Sequence, residues 1–361
     1  MKIAFFGTPE FAWNILSWML SLNPSPREEE DKIIEVALVV SQPDKAIWRK
    51  KELQPTVVKQ VALDAGIEVM QPEKLKSSLK SPPRGEMQLQ DKLESLELDF
   101  IVVVAYGKII PQSILDIPKY GCINLHGSIL PKYRGASPVQ ASIKAWDRET
   151  GLTTMYMSKW MDEWDMLLIE KIFIESDDTS EDIFQKFSDI WPDLLLKTIQ
   201  QVVSGEIVWI PQDNSEATYC GKISREDGEV FFSKQPTQEI YNTYRAYTPW
   251  PGIYTWYEGK RLVLEEVTLP QPLSKRGEQE SVSFPLLGGE EKNIFHLPWQ
   301  GENWEWLVSW SLLKLSKNRY GIVCSDWEIL EVLRVKLEGK KSMDIQSFVN
   351  GSRGVLEYCF G

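Results

Sequence analysis

The sequence is poor in cysteine and histidine, the residues on which most disulfide and zinc sites depend. It has four cysteines and two histidines among 361 residues, and no two cysteines stand in a CxxC spacing. This pattern indicates neither a disulfide framework nor a cysteine-based zinc site. We therefore expect no structural metal.

Long apolar runs and an excess of positive charge are also missing. No stretch of about 18 uncharged apolar residues occurs, and the first residues lack the layout of a signal peptide. We therefore expect a soluble, cytoplasmic protein. The formal net charge of −12 argues against nonspecific binding of nucleic acid over the whole surface. It leaves room for a local basic patch.

Up to about residue 205, the chain alternates short apolar runs with segments of helical periodicity. Residues 2–6 and 100–105 are apolar without polar alternation, which is typical of strands buried on both faces of a parallel sheet. The pattern predicts a Rossmann-like, mostly parallel α/β sheet. The first strand is not followed by GxGxxG, so no dinucleotide site is inferred. Pro192 is expected to end one helix and start another.

The sequence pattern changes after about residue 206, where short β-rich segments are separated by turn residues. Two domains are also expected from the length of the chain. We place an α/β domain at 1–205 and a smaller OB-like β-barrel domain at 206–361, with a linker at about 206–220. Residues 270–293, rich in Gly, Pro and Glu, are expected to form a surface insertion.

A candidate site lies in residues 121–138, where a predicted strand ends in polar residues and opens into a loop. Asn124 and His126 stand at the strand end, and the loop that follows is rich in glycine and proline. Functional residues are often placed in this way on a rigid scaffold. A single histidine at a strand end is more often a hydrogen-bonded structural residue, so both interpretations stay open on this evidence.

A second candidate is the basic loop after the second predicted strand. Residues 45–51 contain four cations, and Trp48 stands among them, directly before Arg49, Lys50 and Lys51. A basic loop with an aromatic residue, in an otherwise acidic protein, is suited to binding phosphates and stacking on a base. The alternative is an ordinary solvated loop.

Residues 124–135 carry a resemblance to a known family. Asn124 and His126 are followed by the run Ser-Ile-Leu-Pro at 128–131 and by Arg134 and Gly135. This stretch resembles the signature of the formyltetrahydrofolate-dependent formyltransferases. Within that superfamily, the chain is most similar to the methionyl-tRNA formyltransferase family over nearly its whole length. The further motifs are FGTPEF at 6–11, QPD at 42–44, VAYG at 104–107, KIS at 222–224, PWP at 249–251 and GKK at 339–341.

The resemblance implies an enzyme of translation initiation. Its formyl donor would be 10-formyltetrahydrofolate, its acceptor would be the amino group of initiator methionyl-tRNA, and it would need no metal and no protein partner. The resemblance implies a catalytic role for Asn124, His126 and Asp162. The folate-binding residues that it implies are Ser128, Ile129, Leu130, Pro131, Tyr106 and Gly107.

The same resemblance implies that Arg49 in the basic loop helps to bind the acceptor end of the tRNA. Lys50 and Lys51 would contact phosphates and Trp48 would serve as a stacking platform. In the second domain, Lys340 and Lys341 are candidates for a surface that faces the tRNA.

The sequence departs from the family pattern around Asp162. The family writes this region as Leu-Asp-Thr-Gly-Asp, whereas residues 161–165 are MDEWD. Both carboxylates survive, as Asp162 and Asp165, but Trp164 takes the glycine position. If that glycine has a positive φ in the family, Trp164 would strain the loop or reshape the folate pocket.

Three alternatives stay open. The acceptor could be a sugar nucleotide or a small amine, although a small acceptor would need neither the basic loop nor the second domain. The chain could also be a tRNA-binding protein that has lost catalysis. Arg134 could either stabilise its loop or contact a ligand.

Overall fold

The computed structural model describes residues 1–22, 34–46, 53–75, 82–158, 162–269, 282–285, 291–294, 312–316, 318–352 and 355. The chain divides into two compact units. The first consists of residues 1–142, 147–175 and 182–222, and the second of residues 143–146, 176–181 and 223–361. Residues 206–222, which include the predicted linker, are thus part of the first unit. In the described ranges, no helix combines the length and the apolar character that crossing a membrane requires.

The first unit is built on short strands, which include the apolar run predicted at 2–6 and residues 100–104 of the run predicted at 100–105. They are β1 Lys2–Gly7, β2 Glu35–Val40, β3 Lys45–Ala46, β4 Leu53–Gln54, β5 Val69–Met70, β6 Phe100–Val104, β7 Cys122–His126, β8 Arg134–Gly135, β9 Glu149–Tyr156, β10 Met166–Phe173 and β11 Tyr219–Cys220. Seven of them form one sheet in the order β10-β9-β7-β6-β1-β2-β5. β7, β6, β1, β2 and β5 pair in parallel, whereas β9 and β10 are antiparallel. The predicted mostly parallel α/β sheet is confirmed.

Burial explains why these segments form strands. All five residues of β6 are buried, as are residues 3–7 of β1, because helices cover both faces of the sheet. On one face, Phe6, Leu38 and Val103 share a core cluster with Leu89 and Leu93 of the helix at residues 84–94. This rigid core fixes the positions at which the strands end.

The helices up to residue 204 include one that was predicted wrongly. The helices are α1 Glu10–Ser21, α2 Val57–Asp64, α3 Arg84–Glu94, α4 Gln112–Leu115, α5 Pro138–Lys144 and α6 Ser180–Ser204. Pro192 lies inside α6 and does not break it. The reason is tertiary: Phe187, Trp191, Leu195 and Ile199 form a buried stripe at intervals of four residues across the proline. This continuous apolar face outweighs the loss of one backbone hydrogen bond.

The second unit contains an antiparallel sheet, which fits the predicted small β-barrel domain. The strands of this unit are β12 Ile253–Tyr257, β13 Lys260–Thr268, β14 Val282–Pro285, β15 Glu291–Ile294, β16 Leu312–Ser316, β17 Arg319–Val323, β18 Ile329–Leu337 and β19 Met343–Asp344. The sheet order is β12-β13-β18-β17-β16, with β19 paired to β18, and β14 and β15 pair with each other in a separate two-stranded sheet. The helices α7 Thr237–Tyr247 and α8 Ile345–Gly351 complete the unit, and α7 and α8 contribute Ile240 and Phe348 to its core.

Candidate active site

The predicted catalytic residues lie at the carboxyl edge of the parallel strands. Asn124 pairs with Val103 of β6 on one side and with Met155 of β9 on the other, and His126 pairs with Thr153. Tyr106 and Gly107 follow the end of β6 at the same edge. In open α/β sheets, ligands bind outside the carboxyl ends of the strands. The topology therefore brings the polar ends of β6 and β7 to the position where a ligand is expected.

His126 is buried, and both of its ring nitrogens face protein oxygens. The imidazole is 5% exposed. Its Nε2 lies 3.0 Å from the carbonyl oxygen of Tyr133, and its Nδ1 lies 3.7 Å from Oδ2 of Asp162. A carbonyl oxygen only accepts hydrogen bonds, so Nε2 is the protonated nitrogen. The 3.7 Å separation exceeds hydrogen-bond length, so Nδ1 makes no hydrogen bond to the neighbouring Asp162 carboxylate.

Asp162 is held by its loop in a backbone conformation that few residues adopt. Its φ is +53°, in the left-handed region, and its Oδ2 accepts a hydrogen bond from the Gly135 amide at 2.8 Å. Aspartate tolerates this region better than most residues. Among residues 162–165, the left-handed position is Asp162 and not Trp164. Trp164, which replaces the glycine of the family pattern, is therefore not strained at φ, and its side chain is 45% exposed.

Gly135 is required where the loop after β7 meets β11. Its φ is +121°, and a Cβ at this position would collide with the carbonyl oxygen of Cys220. β8 and β11 pair in parallel here, and the amide of Ala136 donates to the same Cys220 oxygen at 3.1 Å. Only glycine combines this φ with so close a neighbouring strand. In this conformation the Gly135 N–H points at the carboxylate of Asp162.

Arg134 is a structural residue of the loop. The side chain is 1% exposed. Its Nε and Nη2 donate to Oε1 of Gln212 at 3.0 and 2.8 Å, and Nη2 also donates to Oδ1 of Asn214 at 2.7 Å. Nη1 donates to the Tyr219 hydroxyl at 3.3 Å and lies 3.9 Å from Oε1 of Glu163. Of the two predicted roles, this favours loop stabilisation over ligand contact.

The side chain of Asn124 differs from those of His126 and Arg134 in its hydrogen bonding. The residue is half-buried, and its amide makes no hydrogen bond to any residue in the described part of the chain. Its two N–H donors and its carbonyl are therefore available to a bound molecule.

The run predicted to bind folate is divided between buried and accessible residues. Ser128 is fully buried and donates to the Lys132 carbonyl at 2.6 Å, and Leu130 is 2% exposed, packed with Met155 and Met166. Ile129 and Pro131 are half-buried. The accessible surface of this run is thus provided by Ile129 and Pro131.

Tyr106 and Gly107 are tied to the end of β2 by Gln42. The Nε2 of Gln42 donates to the Tyr106 carbonyl at 2.8 Å, and a Cβ on Gly107, whose φ is +76°, would lie 2.6 Å from that nitrogen. The phenol of Tyr106 is buried against Phe6 without a hydrogen-bond partner among the described residues, and burial raises its pKa. At this position Gly107 is exposed, whereas the side chain of Tyr106 belongs to the core.

The four predicted tRNA contacts, Trp48, Arg49, Lys50 and Lys51, lie outside the described residues. The base of their loop is described. β3 pairs with β4 there, and Lys59 donates to Asp44 at 2.6 Å and to Gln71 at 2.8 Å. Gln71 in turn donates to the Gln42 carbonyl at 2.7 Å and to Asp44 Oδ1 at 2.7 Å. A polar network thus fixes the point from which the basic loop starts.

Two further predictions concern the second unit and metals. Lys340 and Lys341 are exposed at the turn after β18. In the ranges that the structure describes, no group of three or more His, Cys, Asp or Glu side chains could hold a metal ion.

Sequence reasoning missed three contributors to the site: the Tyr133 carbonyl, Gln42 as a tether and Gln212. Gln212 is 50 residues from Asp162 and 78 residues from Arg134 in the sequence. Such long-range partners leave no local pattern, and a backbone carbonyl leaves none at all.

The family model described as formyl transferase matches residues 1–199, and the model of the formyl transferase C-terminal domain matches residues 222–353. The methionyl-tRNA formyltransferase of Acidobacterium capsulatum is 34% identical over 98% of this chain and 97% of its own length. That of Caldicellulosiruptor saccharolyticus is 36% identical over 97% of each chain.

Two solved structures show the same fold at low sequence identity. WlaRD, a sugar 3N-formyl transferase, is 17% identical with a TM-score of 0.57, covering 94% of this chain and 99% of its own. HypX from Aquifex aeolicus is 16% identical with a TM-score of 0.54, covering 99% of this chain and 48% of its own.

Proposed function

Because the chain belongs to the formyl transferase family, we propose that it transfers the formyl group of 10-formyltetrahydrofolate to the amino group of methionyl-initiator tRNA. The relatives that match over nearly their full length bear this activity in their names. Such a reaction belongs to translation initiation in the cytoplasm. The single observation that carries the chemistry is the approach of Asp162 to His126 at the strand edge, which also carries the Asn124 amide, to which no described residue bonds.

The residues at this edge fit a folate-type donor. The accessible surfaces of Ile129, Pro131 and Gly107 offer contact area, and Asn124 offers hydrogen bonds that no described residue takes up. WlaRD was crystallised in the presence of 5-N-formyl-THF, and HypX is in complex with tetrahydrofolic acid. When bound, the donor supplies the formyl carbonyl and a nitrogen leaving group.

Each of the three catalytic candidates would stabilise a different charge that the reaction requires. The Asn124 amide and the Nδ1 of a protonated His126 would donate to the formyl oxygen as it gains negative charge. Asp162, 3.7 Å from Nδ1, would stabilise the imidazolium by its charge, while the Tyr133 carbonyl keeps the ring oriented. The new nitrogen–carbon bond forms as the bond from the formyl carbon to the folate nitrogen breaks. The proton released by the methionyl amine passes to that nitrogen, so the reaction is balanced without a metal.

The tRNA would be bound by the basic loop. Arg49, Lys50 and Lys51 supply charge for phosphates, and Trp48 supplies a face for stacking. The network of Lys59, Asp44 and Gln71 at the base of the loop supports this proposal. Lys340 and Lys341 are proposed as a further tRNA contact, and one copy of the chain suffices for the reaction.

A single-turnover assay tests the proposal. The protein and 10-formyltetrahydrofolate are mixed with methionyl-initiator tRNA, methionyl-elongator tRNA or an amino-sugar nucleotide. We expect formylation of the initiator tRNA in preference to the other two acceptors. His126→Ala should lower the rate by at least about 100-fold. His296→Ala, which removes the other histidine, is the matched control and should retain the rate.

Each alternative function has its own outcome in this assay. Formylation of the amino sugar without formylation of the tRNA would identify a small-molecule formyltransferase. Equal rates for His126→Ala and the unmodified protein would remove the catalytic assignment. Binding of the tRNA without any formylation would identify a protein that has lost catalysis, an outcome against which the retention of Asn124, His126 and Asp162 argues.

A further inference from the structure

Gln212 is the one described side chain that bonds to both the loop of Asp162 and the buried Arg134. Its Nε2 donates to the carbonyl oxygen of Asp162 at 2.8 Å and to that of Trp164 at 2.6 Å. Its Oε1 accepts from two nitrogens of Arg134 at 3.0 and 2.8 Å. These four bonds use both donors and both lone pairs of the amide. The Gln212 side chain therefore has no freedom to turn.

Arg134 gives this arrangement a fixed end. Its guanidinium is 1% exposed and is held by Gln212, Asn214 and Tyr219. A buried charge in such a network cannot move without losing several partners at once. Gln212 therefore connects the surface loop of Asp162 to the rigid guanidinium of Arg134.

Asp162 is thus tied at two points to consecutive residues of the loop after β7. Its carboxylate accepts directly from the Gly135 amide, and its carbonyl is bonded to Arg134 through Gln212. The left-handed φ of Asp162 makes such support necessary, because a strained residue keeps its conformation only where its surroundings impose it. The two ties together set the 3.7 Å distance from Asp162 to His126.

We propose that Gln212 is a positioning residue of the formyl-transfer reaction, which acts through Asp162 without touching the reacting atoms. This inference rests on the proposed function. Misplacement of a catalytic group by about 1 Å can cost about 100-fold in rate, so loss of the Gln212 bonds should lower kcat. Binding of donor and acceptor should be retained, because the Gln212 amide is already occupied by its protein partners.

The first experiment compares Gln212→Leu with Asn214→Ala. Asn214 also accepts from Arg134 but makes no hydrogen bond to described residues of the Asp162 loop, so its variant is the matched control. We expect Gln212→Leu to lower kcat by about 10- to 100-fold with both KM values within about threefold, and Asn214→Ala to change kcat by less than about threefold. Gln212→Glu, which keeps an acceptor for Arg134 and loses the two donors, should behave like Gln212→Leu and replaces it if that variant does not fold.

A double-mutant cycle separates positioning from a general loss of structure. If Gln212 acts through Asp162, then Gln212→Leu should lower kcat by less than about twofold in a background of Asp162→Asn. The same loss in both backgrounds would overturn the proposal. So would an unchanged kcat in Gln212→Leu.

A measurement without substrates keeps this inference distinct from the proposed function. The Gly135 amide is bonded to the Asp162 carboxylate, and the Arg134 amide is bonded to the Thr218 carbonyl at 2.8 Å. By NMR, amide exchange of Gly135 should be at least about tenfold faster in Gln212→Leu, while that of Arg134 stays unchanged. If the unmodified protein formylates no tRNA, the proposed function fails, and this exchange alone decides the role of Gln212. Unchanged exchange at Gly135 would overturn it.

Discussion

The Nε2 atom of His126 lies 3.0 Å from the carbonyl oxygen of Tyr133, and this contact determines which ring nitrogen carries the proton. Tyr133 itself has a left-handed φ of +58° and is held by Asp147, which accepts from its hydroxyl at 2.7 Å. The ring orientation of His126 is thus set by a carbonyl whose own position is fixed.

The first prediction concerns the tautomer of His126. The neutral ring should be protonated at Nε2, because the Tyr133 carbonyl can only accept. Long-range ¹H–¹⁵N spectra of histidine-labelled protein would distinguish the tautomers. With two histidines in the chain, the spectrum of His126→Asn assigns the signals. A neutral ring protonated at Nδ1 would contradict the geometry.

The second prediction concerns Gly135. Gly135→Ala combines an unfavourable φ with a collision against Cys220, so it should lower the free energy of unfolding by about 3 kcal/mol or more and reduce kcat. Gly205→Ala is the control, because Gly205 has a φ of +74° and an added methyl group would meet no atom within 4 Å, and it should cost about 1 kcal/mol. Urea denaturation measures both values. Equal losses would show that the Cys220 contact is unimportant.

The third prediction concerns stability at low pH. A hydrogen bond from Lys59, and a second from Gln71, hold the pKa of Asp44 below its usual 3.8. A lowered carboxyl pKa contributes stability above pH 3.8, and that contribution is lost as the pH falls through the folded-state value. The free energy of unfolding of Asp44→Asn should therefore be lower than that of the unmodified protein by up to about 1 kcal/mol at pH 7, and the difference should vanish in acid. A difference that persists at pH 2 would contradict this.

The fourth prediction concerns Trp164. Its carbonyl is bonded to Gln212, whereas its indole is half-exposed and its φ is not left-handed. Trp164→Ala should therefore change the free energy of unfolding by less than about 0.5 kcal/mol and kcat by less than about threefold. A tenfold loss in kcat or a tenfold rise in KM would mean that the indole contacts a substrate.

The fifth prediction concerns the basic loop. Arg49→Ala combined with Lys50→Ala should weaken binding of the tRNA and reduce the slope of log K against log salt by about 1 to 2, because each phosphate contact contributes about 0.7–0.9. Binding of the folate should be unchanged. Titration of methionyl-initiator tRNA at several salt concentrations provides the measurement, and an unaltered slope would exclude phosphate contacts by these residues.

The sequence predicted those parts of the molecule that depend on local pattern. Residues 100–104 of the apolar run predicted at 100–105 form a fully buried strand, and the polar strand end at Asn124 and His126 lies at the carboxyl edge of the parallel strands. Pro192 was predicted wrongly because a buried stripe, formed by tertiary packing, outweighs a local preference.

The contacts that support the loop of Asp162 could not be predicted in the same way. Nothing in the residues around Asp162 indicates its left-handed φ, and nothing around Gln212 indicates its partners. Both depend on which segments the finished fold brings together. The left-handed backbone that the family pattern suggested for position 164 falls instead on the aspartate itself.

The pairing of β11 with β8 has a consequence for exchanging parts between related enzymes. Gln212, Thr218 and Cys220 all support the loop after β7, yet they follow the last residue of α6 and lie beyond the first family match, which ends at residue 199. In a hybrid joined at residue 205, the loop after β7 would come from one parent, and Gln212, Thr218 and Cys220, which support it, would come from the other. A junction after residue 222 keeps the loop and these supporting residues from the same parent.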